Sequence, residues 1–165
     1  MRLLIAPLIF LCLVICSNTH AGWDSILSKD DFSDKKLLRY YSVAKKGDPD
    51  MFLILDCNEA KMIDFTWQLS ESNLLRAPYP DATLDVVIRI DSGEVFEEQW
   101  QWTSYGSFLK PKFEDRLLFL RKLKGAKKLA LKVTFPEILG VFDVSGFDKA
   151  YAEVAKFCEF VIKVK

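Results

Sequence analysis

The chain has 165 residues, half of them hydrophobic, with 23 basic and 23 acidic side chains, so its formal charge at pH 7 is zero. No field of one sign exists to draw in nucleic acid or an anionic membrane surface. The single histidine, His20, lies in the N-terminal apolar and polar leader; beyond it no imidazole remains for Ser-His-Asp or Cys-His catalysis, and the commonest zinc and copper ligand is missing.

Met1-Arg2, an apolar run from Leu3 to Ile15, and Ser17-Asn18-Thr19-His20 closing on Ala21 follow the three-part plan of a secretory signal. The run is shorter than the roughly 17–25 residues that span a bilayer as a helix. Residues 1–21 are therefore expected to be a cleaved signal, and 22–165 a single secreted β-rich domain, periplasmic or released, with no stable membrane insertion after cleavage. A rival reading lipidates Cys16, but that processing wants a small residue just before the cysteine, and Ile15 is not small. Removal of Arg2 leaves 22 basic against 23 acidic groups, a net charge near −1.

Cys12 and Cys16 leave with the signal, and Cys57 and Cys158 remain. A pair in an exported chain predicts a disulfide, with two buried thiols as the alternative. It closes a loop for which the chain-entropy model gives about 4–5 kcal/mol as an upper figure.

Trp23 to Lys36 shows no clean period and reads as a turn-rich lead-in. Leu37–Lys45 reads as a strand ended by Gly47-Asp48-Pro49-Asp50. Phe52–Cys57, almost continuously apolar, suits a strand buried on both faces. Met62–Leu69 alternates Ile63, Phe65, Trp67 and Leu69 against Asp64, Thr66 and Gln68, a strand period. Pro78 and Pro80 make Ser70–Ala82 a loop. Thr83–Ile90 and Val95–Trp102 form a hairpin about Asp91-Ser92-Gly93-Glu94. Phe113–Leu123 switches to a helical stripe of Phe113, Leu117, Leu120 and Leu123, stopped by Gly125. Lys127–Phe135 and Leu139–Val144 return to strand. Ser145, with Asp148 three residues on, is expected to cap a last helix; Phe147, Tyr151, Val154 and Cys158 share one side of it, so the disulfide would staple that helix to the Phe52–Cys57 strand. The sum is a mainly β fold with α (α+β): an antiparallel β-sandwich or bent sheet of about seven strands, two packed helices and one disulfide.

Few constellations carry chemistry. Glu97 and Glu98 point to opposite strand faces and cannot flank one bond, so both read as a solvated hairpin edge. Trp100, Trp102, Tyr105 and Phe108 are a candidate binding surface, since aromatic faces stack on sugars and peptides, although alternation favours the core for Trp100 and Trp102. The basic stretch Arg116, Arg121, Lys122, Lys124, Lys127 and Lys128 reads as a solvated face sooner than a docking site for acidic partners or lipid head groups. No metal spacing, phosphate loop or nucleophile elbow occurs, so the expectation is a non-enzyme with no catalytic residues, no cofactor and no metal. Asp56 and Asp64 are the carboxylates a weak enzyme would use.

Trp23, Asp31-Phe32-Ser33-Asp34-Lys35-Lys36, the strand ending in Cys57, Val87-Ile88-Arg89-Ile90-Asp91, and Phe142-Asp143-Val144-Ser145-Gly146-Phe147 running to Cys158 form a pattern. It resembles the VasI-like exported accessory proteins of type VI secretion and similar small secreted bacterial proteins. The Phe160-Val-Ile-Lys-Val-Lys tail and the aromatic hairpin depart from it. The resemblance implies a periplasmic, disulfide-bonded, non-enzymatic accessory or binding protein with a protein partner in the cell envelope. The alternative is an inhibitor or immunity-type protein that blocks an envelope hydrolase through a loop such as Ser70–Ala82 or Thr103–Pro111.

Overall fold

The computed structural model describes residues 22–29, 36–57, 62–70, 82–103, 108–135 and 137–158. The expected signal segment, Tyr105 and the C-terminal tail lie outside them. In chain order the elements are β1 (Asp24–Lys29), β2 (Lys36–Gly47), β3 (Phe52–Cys57), β4 (Ile63–Gln68), β5 (Thr83–Ile90), β6 (Val95–Trp102), β7 (Phe108–Pro111), α1 (Phe113–Lys122), β8 (Lys128–Val133), β9 (Ile138–Asp143) and α2 (Phe147–Phe157).

Every strand pairing is antiparallel, in the order β1-β2-β3-β4-β7-β6-β5-β8-β9, and β9 returns to pair with β2 through Ala44–Phe142 and Gly47–Gly140. β2 to β9 thus close an eight-stranded barrel, with β1 as an extra strand outside it. This corrects the expected sandwich or bent sheet. Closure comes from the length of β2: its first half pairs with β1, its second half with β9, and a bulge between Ala44 and Lys46 bends the strand between them. A Cβ at Gly47, where φ is 107°, would lie 2.1 Å from the Leu139 carbonyl oxygen, so β9 approaches this closely only because the residue is glycine.

Nine strands are described where about seven were expected. β1 falls within the expected turn-rich lead-in because Asp24 to Ser28 are exposed on both faces and carry no period. β7 was hidden within Thr103–Pro111 because it has only four residues and ends in proline.

The barrel is filled by Leu53, Leu55, Phe65, Trp67, Val86, Ile88, Trp100, Trp102, Leu129, Leu131 and Phe142, each essentially inaccessible to solvent. It is a packed interior and not a channel. The indole N–H groups of Trp23, Trp67, Trp100 and Trp102 face no acceptor among the described residues. Leaving such a donor unpaired costs about 1–3 kcal/mol. Burying about 150–250 Å² of ring at about 25 cal/mol/Å² gains roughly 4–6 kcal/mol, so apolar burial wins at each position.

Both helices cover one end of the barrel, where β3 and β9 finish and β4 and β8 begin. α1 inserts Phe119 against Phe65 and Trp100, with ring centroids 5.2 and 5.3 Å apart. Its buried side is Phe119, Leu120 and Leu123, while Phe113 and Leu117 of the expected stripe stay 60% and 41% exposed. Arg116 takes the place on that buried side which an apolar pattern would have given to a hydrophobic residue. α2 buries Phe147, Ala150, Val154 and Cys158, and Cys158 is joined to Cys57 with a Cα–Cα distance of 5.7 Å. The expected Ser145 cap does not form: Gly146, at φ 86°, is the N-cap residue. The Asp143 carboxylate accepts the Ser145 N–H at 3.0 Å, and Asp148 accepts the Gly125 N–H at 3.1 Å. The first bond shapes the turn that enters α2, and the second ties the start of α2 to the turn that follows α1.

Candidate functional site

On β3 and β4 the residues Leu53, Leu55, Phe65 and Trp67 point inward, so alternation turns Phe52, Ile54, Asp56, Asp64, Thr66 and Gln68 outward. Three of these outward residues are nevertheless buried, Ile54 at 6%, Asp64 at 6% and Thr66 at 5% exposure. A trough of about 320 Å³ runs over this surface, lined by Ile26, Arg39, Tyr41, Phe52, Ile54 and Gln68. Ile26 comes from β1, Arg39 and Tyr41 from β2, and the Tyr41 and Phe52 rings meet edge to face at 6.2 Å. The lining is apolar with one guanidinium at its side, a combination suited to an extended apolar group carrying a polar or acidic end.

Beside the trough lies a charged network. Arg39 grips Asp56 through Nε at 3.0 Å and Nη2 at 2.9 Å. Asp64, directly opposite Asp56 across the β3–β4 ladder, is paired with Lys110 of β7 and with Arg116 of α1, the latter at 2.9 Å. Burial pushes the Asp56 carboxyl above the usual carboxylate range; Arg39 pulls it down, and the neighbouring Asp64 charge pushes it up again. Three cations against two carboxylates leave the network one positive charge in surplus. A second recess of about 320 Å³, lined by Met62, Ile63, Phe113, Glu114, Arg116 and Leu117, adjoins it between β4 and α1. Among the described residues no cluster of three or more His, Cys, Asp or Glu could hold a metal ion.

The structure thus brings together Asp56 and Asp64, which the sequence offers only as the carboxylates of a weak enzyme, and sets three cations against them. The missing signal is register. A four-residue turn over 58–61 would set Cys57 against Met62 and Asp56 against Ile63. The connection has five residues, Cys57 pairs with Ile63, and the two aspartates meet.

The aromatic candidate surface divides. Trp100 and Trp102 are fully buried inside the barrel and present no face to a ligand, which corrects their place in that surface. Tyr105 lies outside the described residues. Phe108 is partly buried and points outward beside Gln68, its ladder partner. Glu97 and Glu98 do take opposite faces. Glu98, however, is no solvated edge: it is drawn inward to Lys122 at 2.9 Å, and that ammonium sits 4.1 Å from the Phe96 ring centre. The basic stretch is accordingly broken up, with Arg116 and Lys122 spent on Asp64 and Glu98. Of the two loops named for an inhibitor, the roots meet at the barrel end opposite the helices. There the Trp102 N–H donates to the Ala82 carbonyl at 2.7 Å, and the Thr103 N–H to that of Phe108 at 3.0 Å.

No family model matches the chain, and no curated protein matches it. Among solved structures it is similar to the crystal structure of invasion associated protein B from Bartonella henselae. The TM-score is 0.53 at 14% identity, over 86% of this chain and 96% of that one. At that identity the likeness concerns the fold alone.

Proposed function

We propose that the chain is an exported, non-enzymatic binding protein of the cell envelope that engages a protein partner through the outer surface of β1–β4. The observation that carries this reading is the trough of Ile26, Tyr41, Phe52 and Ile54 with Arg39 at its side, a concave, largely apolar surface with a charged group at its margin. The Cys57–Cys158 bond supports an oxidising setting such as the periplasm or the exterior. The resemblance to VasI-like proteins supplies the envelope side of a type VI secretion system as the setting to search.

The test is site-specific photocrosslinking from position 41 in the native host. One discrete adduct that disappears in Phe52→Asp is the expected result. A Tyr41 probe that captures nothing while the same probe at the exposed Gln99 captures a partner would move the binding surface elsewhere.

A second reading, inhibition of an envelope hydrolase, is favoured by the joined roots of Ser70–Ala82 and Thr103–Pro111. One end of a rigid barrel is where an inhibitory loop pair would be presented. Inhibition of a lysozyme-like enzyme by the purified protein, abolished by glycine-serine replacement of residues 71–81 and 104–107, which leaves β7 in place, would establish it.

A further inference from the structure

We infer that the protein forms a two-fold symmetric dimer by pairing β1 with β1 of a second copy. Among the described residues β1 pairs with β2 alone, over six consecutive positions without a register shift. Among the described residues no strand takes its other edge, and the N–H and C=O groups along the open edge of a regular strand are a template for another strand. Proteins blunt such edges with proline, a bulge or central charges. β1 reads Asp-Ser-Ile-Leu-Ser-Lys, with no proline, no bulge and its charges only at the two ends. Its middle is apolar and open, Ile26 at 50% and Leu27 at 65% exposure.

The occupant follows from symmetry and charge. An antiparallel strand paired with its own copy is two-fold symmetric only about a residue that meets itself. Centred on Ile26, the register sets Ile26 against Ile26 of the copy, Ser25 against Leu27 and Asp24 against Ser28. Every residue from Asp24 to Ser28 is then paired, and no two like charges face each other. With or without residues 1–21 the net charge is zero or near −1, so copies repel little at long range. Ile26 also lines the outer trough, so this pairing joins the troughs of two copies across the axis without covering either. Two-fold closure consumes the edge on both copies, which stops further growth. The inference stands independently of what the trough binds.

Sedimentation analysis of the disulfide-bonded protein from micromolar to millimolar concentration tests it. The expected result is a concentration-dependent rise to twice the chain mass, lost in Ile26→Asp, which sets two carboxylates face to face on the axis. In a background that keeps Cys57–Cys158 intact, Ile26→Cys should crosslink to its copy under mild oxidation, because directly opposed Cβ atoms stand about 4.5–5.5 Å apart. Leu27→Cys, opposed to Ser25, should crosslink far less. A monomer at every concentration overturns the inference. So does a dimer that survives Ile26→Asp while Ile26→Cys fails to crosslink, and an intact far-ultraviolet spectrum of each variant shows that folding is not the cause.

Discussion

The two walls of the barrel obey different rules. Across β5 and β6 the residues turned away from the interior, among them Thr83, Asp85, Arg89, Glu97, Gln99 and Gln101, are exposed, and the strands alternate cleanly between core and water. Across β3 and β4 the outward residues Ile54, Asp64 and Thr66 are as buried as core, and charge is handled by pairing instead of by solvent. A one-sided wall needs only apolar alternation. A two-sided wall must satisfy each polar group it buries, because an unpaired charge away from water costs several kcal/mol.

The largest effect should come from cutting the tie between α2 and this second wall. Cys158→Ser, measured against wild type by denaturant unfolding, is expected to lower stability by about 4 kcal/mol, the chain-entropy value for a loop this long. Next is Asp64→Ala, which strands Arg116, only 12% exposed, without its partner; breaking a buried pair from one side should cost about 3 kcal/mol. The inner face of β2 gives a pH-dependent test. Burial, and then the hydrogen bond that Tyr40 donates to the Glu153 carboxylate, push the phenol up to about 12. A raised pKa means that the folded state holds the proton more tightly. The stabilisation is therefore whole below the unfolded value near pH 10 and is lost as pH rises through about 12. Two pKa steps correspond to at most about 2.7 kcal/mol, and the part of that alkaline loss due to this phenol should vanish in Tyr40→Phe. Smallest of all is Glu97→Gln on the solvated wall, expected to stay within about 0.5 kcal/mol. If Glu97→Gln cost as much as Asp64→Ala, the contrast between the walls would be lost.

Much of the inner surface was legible in the sequence, and little of its outside. Alternation placed Phe65, Trp67, Val86, Ile88, Leu129 and Leu131 inward, and the near-continuous apolarity of Phe52–Cys57 announced a strand covered on both faces. The cysteine pair was legible because only two cysteines lie beyond residue 21, where the expected signal ends. Barrel closure was not: it resides in which strand pairs with which, and the bulge after Ala44 and the facing Gly47 and Gly140 gain meaning only once β2 and β9 are neighbours. The charged network was hidden for a similar reason. Asp56, Asp64, Lys110 and Arg116 belong to four elements, and their meeting depends on a one-residue difference in the β3–β4 connection. Arg116 on a helix reads as a solvated cation until the helix is laid across the barrel end.

The Cys57–Cys158 bond also sets an order in time. Cys57 is made early, at the end of the third strand, and Cys158 only after every other strand of the barrel exists. The bond therefore cannot close on a partial chain, and any product truncated between the two positions carries Cys57 without its partner. At Cys57 a bridged molecule is sealed against thiol reagents and an unbridged one is marked by them, so the same cross-link that holds the last helix in place also records that synthesis ran past that helix.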